Sequence, residues 1–210
     1  MFVIPDKKIV VLLTPRTGSH TLHNLLWGLC RDRLATPHEK VAALDFDLNG
    51  DARHLHLGWA HMVVTYPDID LSDYRAFAFY RHPESWFVSA LRYMNSQDQK
   101  TFHSNMSPRA FWESKNHNMK RQMSILATRE GHPGPDIELF NYHDFNNEII
   151  RLFKELGRDI TGEHIDDFTL NNMNYNGFHR TLTDNDKKQI RKYWWQDYHW
   201  LEYKGIELPK

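Results

Sequence analysis

Cysteine is nearly absent. Cys30 is the single one among 210 residues, which excludes an intrachain disulfide and any metal cluster built on thiolates; its place in an apolar helical stretch is that of a buried thiol. Net charge is nearly absent too. Lys and Arg number 26 against 27 Asp and Glu, so no global field draws the chain to nucleic acid or to an anionic membrane surface, and an anion must be recognised by a local site. No apolar run reaches the length of a membrane span, and residues 1–8 have no basic segment leading into a long apolar core and cleavage site. A cytoplasmic chain without a membrane span is expected. Internal repeats, low-complexity tracts and linkers are missing as well, and the Gly131-His132-Pro133-Gly134-Pro135 cluster reads as a loop. One domain over residues 1–210 is therefore expected.

What is present begins at residues 9–26. Ile9-Val10-Val11-Leu12-Leu13 is an apolar run that breaks at Thr14-Pro15 and reads as a buried strand. Leu22, Leu25, Leu26 and Leu29 then recur at spacings that give a helix one apolar face. The residues between, Arg16-Thr17-Gly18-Ser19-His20-Thr21, fall at a helix N-terminus, where unpaired backbone N–H groups and the positive end of the helix dipole make an anion site. Gly18 lets the backbone approach a phosphate-like group, the hydroxyls of Thr17, Ser19 and Thr21 add donors, and Arg16 supplies a cation. The loop is not a Walker A sequence, because no Gly-Lys-Ser/Thr follows at the required spacing.

Ala76-Phe77-Ala78-Phe79-Tyr80 reads as a second buried strand, running into Arg81-His82-Pro83. Pro83 suits the first position of a helix, where its missing N–H costs nothing, and that helix carries Ser89 two turns in. A guanidinium can hold a phosphate through two parallel charge-assisted bonds and a hydroxyl can add a third.

The first loop resembles the 5′-phosphosulfate loop of sulfotransferases, and Arg81 with Pro83 and Ser89 resembles the 3′-phosphate motif of the same family. The resemblance implies an α/β protein with a mostly parallel sheet flanked by helices, the P-loop nucleotide-hydrolase-like sulfotransferase fold. It implies sulfuryl transfer from 3′-phosphoadenosine 5′-phosphosulfate (PAPS) to an acceptor hydroxyl, leaving 3′-phosphoadenosine 5′-phosphate (PAP). In that family the loop, here Arg16, Thr17, Gly18, Ser19, His20 and Thr21, binds the 5′ end of the donor, and the residues matched by Arg81 and Ser89 bind its 3′-phosphate. Carbohydrate sulfotransferases also have a His some two dozen residues before the Arg-x-Pro motif that deprotonates the acceptor. His56, 25 residues before Arg81, matches best, with His54 in reserve. A neutral imidazole is available as a base at pH 7. His54, His56 and His61 lack a carboxylate at ligand spacing, and no metal is expected.

The resemblance covers nearly the whole chain, strongest at the two phosphate motifs and patchy between Arg33 and His54. Val41-Ala42-Ala43-Leu44 is a short strand or a turn of helix, and Met62-Val63-Val64-Thr65-Tyr66 has strand propensity where the resemblance implies helix. Ser107-Pro108 opens a helix, and residues 118–130 repeat Met119, Met123 and Leu126 at helical spacing. Phe102, His103, Phe111, Trp112 and Lys115 fit either an acceptor pocket or, for the aromatics, a core stripe, which is preferred. Residues 137–145 read as a strand and exit turn, followed by an amphipathic helix over 146–156 that Gly157 stops. Tyr142 matches the strand-end Tyr that approaches the adenine in the family, with His143 where the family often has Glu. Residues 168–174 resemble an Asn-containing stretch before the last helix. Thr183-Asp184-Asn185-Asp186 is a capping box opening a helix with Ile190, Tyr193, Trp194, Asp197 and Tyr198 at three- and four-residue spacings. Relatives fold the loop before such a helix over the nucleotide, which makes Arg180 a phosphate contact by resemblance. Two other readings stay open: a nucleotide-binding protein without catalysis, and a small-molecule kinase with an atypical P-loop.

Overall fold

The computed structural model describes residues 1–33, 70–97, 105–114, 122, 126, 136–169 and 179–207. His54, His56, the two short apolar segments at 41–44 and 62–66, Phe102, His103, Lys115, the loop at 131–135 and the stretch 170–174 lie outside them. So does most of the helix expected over 118–130. The chain divides into two compact units, residues 1–80 with 124–169, and 81–123 with 170–210.

The first unit is built on a four-stranded sheet in the order β1-β2-β3-β4. Strand β1 (Phe2–Ile4) runs antiparallel to β2 (Ile9–Leu12), with Phe2 opposite Val11. A turn of 3-10 helix at Pro5–Lys7 joins them, and Lys8 takes the left-handed conformation, φ +51°, that reverses the chain. Strand β3 (Arg75–Tyr80) lies parallel to β2, and β4 (Ile137–Asn141) lies parallel to β3. The sheet is thus mostly parallel, and the chain is an α/β protein as the two apolar runs led one to expect. Every residue of β2 is buried, as is every residue of β3 after Arg75, which fits near-continuous apolar strands covered on both faces.

Helix α1 (Ser19–Cys30) follows β2 and buries Leu22, Leu25, Leu26 and Cys30. These side chains join Phe2, Ile4, Val11, Phe77, Phe79 and Phe140 in one core cluster. Burying each Leu stabilises the unit by roughly 1.5–3 kcal/mol. Cys30 is a free, buried thiol, and burial pushes its pKa up, which makes it unreactive. After β4 come a 3-10 turn, Tyr142–Asp144, and helix α4 (Phe145–Glu155), which buries Ile149, Leu152 and Phe153. Gly157, at φ +71°, ends it in the way its sequence position promised: its N–H donates to the Lys154 carbonyl at 2.9 Å, and the Arg158 N–H to that of Phe153 at 2.9 Å.

The second unit is helical among its described residues. It holds α2 (Pro83–Gln97), α3 (Pro108–Glu113), α6 (Asp184–Tyr193) and α7 (Trp195–Tyr203); helix α5 (Gly162–Phe168) belongs to the first unit. Pro83 opens α2, and Ser107 caps α3 by accepting from the Ala110 N–H at 3.1 Å. The Thr183 capping box is present in both directions, Asp186 N–H to Thr183 Oγ1 and Thr183 N–H to Asp186 Oδ2, each 3.1 Å. The single C-terminal helix read from the spacing is two, broken at Trp194 (φ −103°, ψ 27°). The indole of Trp194 is fully buried among Trp86, Phe87, Phe111 and Trp112, with ring centroids 5.0 to 6.1 Å away. Its amide still bonds the Ile190 carbonyl at 2.8 Å, so the three- and four-residue spacing runs on across the break. Phe111 is a core residue of this cluster.

Candidate functional site

The loop from β2 to α1 holds the densest set of candidate residues. Two of them have left-handed backbones, Arg16 at φ +64° and Gly18 at φ +73°. For Gly18 this is unstrained, and a side chain is excluded on a second count: a Cβ built there would overlap Cε2 and Cζ of the Phe145 ring. For Arg16 the same conformation costs about 1–2 kcal/mol and persists only where surrounding contacts impose it. The residues that flank it in the loop are held by hydroxyl bonds. Thr17 Oγ1 donates to the Thr14 carbonyl at 2.8 Å and lies 2.7 Å from Thr14 Oγ1, while Thr14 Oγ1 donates to the Phe79 carbonyl near the end of β3. Thr14 and Thr17 are both fully buried.

This assigns Thr17 a different use from the one its sequence suggests. Its hydroxyl is engaged inside the loop, bonded to Thr14. Thr14, at the end of the apolar run, ties the loop to the sheet through the Phe79 carbonyl. The recognisable signal was a second hydroxyl three residues before Thr17. Left-handed residues in a turn are what bends successive backbone N–H groups into an anion-binding concavity.

Gly18 is the N-cap of α1 and gives no side-chain cap, and no acidic residue lies in the first turn. The N–H groups of Ser19, His20 and Thr21 precede the first intrahelical bond, which runs from Leu22 N–H to the Gly18 carbonyl at 3.0 Å. Ser19 and Thr21 are buried and His20 is half-buried. Burial first, and then the charge of Arg16, hold the His20 imidazole below its ordinary pKa. His20 is therefore neutral at pH 7 and offers a ring N–H or lone pair rather than a cation. Arg16 carries the loop's fixed charge.

Tyr142 sits on the turn after β4, half-buried. Its ring is 5.4 Å from that of Phe145, which in turn stands 5.0 Å from Phe79 and against Gly18. The structure thus brings Tyr142 and the loop together through Phe145, a residue to which the sequence reading gave no role. Tyr142 follows β4 directly, as the loop follows β2, so both are at carboxyl ends of parallel strands, one on each side of β3, where ligands of open α/β sheets bind.

Arg81, Ser89 and Arg180 belong to the second unit. Arg81 follows the last residue of β3, and its backbone is held by Gln122. The Arg81 N–H donates to Gln122 Oε1 at 2.9 Å, and Gln122 Nε2 donates back to the Arg81 carbonyl. Gln122 is fully buried. Ser89 is buried on α2. At the start of that helix the His82 carbonyl accepts from Trp86 N–H at 2.8 Å and from the Ser85 hydroxyl at 3.1 Å. Arg180 pairs with Asp186 Oδ1 at 3.1 Å and lies over the Phe87 ring at 5.6 Å. The carboxylate that closes the α6 capping box therefore also carries Arg180, a coupling that the sequence does not reveal.

Among the described residues, no group of three or more His, Cys, Asp or Glu is placed to hold a metal ion, and no helix is long and apolar enough to cross a membrane. No family model, curated protein or solved structure matches the chain.

Proposed function

We propose that the chain is a sulfotransferase of the P-loop-like type that moves a sulfuryl group from PAPS to an acceptor hydroxyl on a carbohydrate. The observation that carries this reading is the β2–α1 loop: left-handed Arg16 and Gly18, hydroxyl bracing by Thr14 and Thr17, and a helix N-terminus free of carboxylates. Such a loop suits a doubly charged 5′ group and needs no Walker lysine. The motif Arg81 with Pro83 and Ser89 adds a basis for a 3′-phosphate. That second phosphate separates PAPS from ATP as a donor.

The proposed reaction is an in-line displacement. The acceptor oxygen forms a bond to sulfur, the bond from sulfur to the bridging oxygen breaks, and its electron pair leaves with PAP. His56 takes the acceptor proton. Arg16 and the loop N–H groups stabilise charge that builds on the bridging oxygen and sulfuryl group, so the protein contributes chiefly positioning and electrostatics. Arg81 and Ser89 hold the far phosphate, and Tyr142 takes a place beside the adenine.

Thermal unfolding with PAP, adenosine 5′-phosphate and ATP tests the donor. A ligand at about 100 times its Kd adds ~2.7 kcal/mol, which for a chain of this length raises Tm by roughly 5 to 10 °C. The expected result is a rise with PAP well above that with adenosine 5′-phosphate at equal concentration. A rise with ATP alone would replace the reading with a kinase. A PAP-specific rise without any turnover of PAPS over a panel of sugar acceptors would reduce it to a binding protein.

A further inference from the structure

The Gln122 side chain bonds the backbone of one residue on both sides of its Cα. Its carbonyl oxygen accepts from the N–H of Arg81 and its amide nitrogen donates to the Arg81 carbonyl, so the amide pairs with that residue as a neighbouring strand would. The pairing occurs at the first position beyond β3, whose last ladder residue, Tyr80, stands opposite Asn141. Gln122 is buried with no exposed surface. A buried amide with its carbonyl and NH2 both paired is held rigidly, because leaving either group unpaired in a low-dielectric interior is costly. A backbone fixed on both its N–H and its C=O gives the side chain that leaves from it a single point of departure.

We propose that Gln122 is a positioning residue for Arg81, setting the guanidinium for bidentate recognition of the 3′-phosphate and so setting preference for a 3′-phosphorylated nucleotide. The proposal rests on the reading of Arg81 given above and goes beyond it by assigning the preference to a residue that does not touch the ligand. A fork of two parallel N–H bonds tolerates little angular error, so a loosened Arg81 backbone weakens binding of the 3′-phosphate selectively. The 5′ end of the nucleotide is bound elsewhere and keeps its affinity. A residue that served only to satisfy a buried peptide would, when replaced, lower the folded fraction and weaken every nucleotide together.

The ratio of PAP to adenosine 5′-phosphate affinity separates these roles. It is measured by calorimetry on the wild type, on Gln122→Met, which keeps length and removes both bonds, and on Gln122→Glu, which keeps an acceptor for the Arg81 N–H. The expected result is a wild-type preference for PAP that falls by about tenfold or more in Gln122→Met, with adenosine 5′-phosphate affinity unchanged and Gln122→Glu between the two. If Gln122→Met does not fold, the same ratio in Gln122→Glu decides. A wild type with no preference for PAP sinks the reading of Arg81 itself. A clear wild-type preference that survives in the variants sinks the role of Gln122 alone.

Discussion

Arg16→Ala is expected to lower turnover about a hundred- to a thousandfold, the scale on which an oxyanion donor acts, roughly 2.7–4 kcal/mol. The side chain leaves from a left-handed residue, φ +64°, between buried Thr14 and Thr17. Alanine inherits the backbone strain, so the loop keeps its shape and the loss falls on charge. Arg16→Gly sharpens the test. Glycine removes about 1–2 kcal/mol of left-handed strain, so this variant should be at least as resistant to heat as the wild type and yet as impaired as Arg16→Ala. Such a split between stability and turnover is what strain held at a functional position produces. Initial-rate measurements on both variants, with Tm alongside, check it; near-normal turnover in either would remove Arg16 from the reaction.

His56→Ala is expected to lower turnover by roughly 10² to 10⁴, the range for loss of a general base, with PAP affinity unchanged. The proton leaves the acceptor, not the donor, so donor binding has no stake in it. The pH profile carries a further mark: the wild-type rate should fall as pH drops through the range where an imidazole protonates, near 6.5 when unperturbed, and the variant should lose that limb. His54→Ala is the control. If it removes the limb and His56→Ala does not, the base stands two positions earlier in the chain.

Where periodicity changed over a few residues, the sequence was a good guide. The apolar run of β2, the switch to helical spacing at Leu22 and the Pro and Gly between them define strand, loop and helix almost to the residue, and the same holds for β3 with Pro83 and for α4 with Gly157. Each boundary has a local steric cause that sequence alone carries. What was not legible depends on contacts distant in the chain. The first strand is an exception of short range: Phe2, Val3 and Ile4 pair antiparallel with Ile9, Val10 and Val11, and the reversal depends on the left-handed Lys8, a conformation that the residue type does not announce. The break at Trp194 is set by four aromatic partners from α2 and α3, and no spacing rule anticipates it.

The candidate site divides in the same way. Gly18 was identified for close approach of a ligand, and the ring of Phe145 supplies an independent reason for glycine there. The Thr17 hydroxyl, a candidate donor by its place in the loop, donates to the Thr14 carbonyl. Arg180, a phosphate contact by resemblance, is held by Asp186, half a turn inside the following helix, and that ion pair has no sign in the sequence. Gln122 is polar within a stretch whose spacing of Met119, Met123 and Leu126 reads as apolar, and a polar side chain that is buried must find a partner.

The central claim is that one nucleotide is held at two anion sites, its 5′ end by the loop and its 3′-phosphate by Arg81. Titration of PAP and adenosine 5′-phosphate into wild type, Arg16→Ala and Arg81→Ala tests it most directly. Arg16→Ala should weaken both nucleotides, whereas Arg81→Ala should weaken PAP by about ten- to a hundredfold, the value of charge-assisted bonds to a phosphate, and leave adenosine 5′-phosphate untouched. Equal losses for both nucleotides in Arg81→Ala, or none for either, would contradict the account.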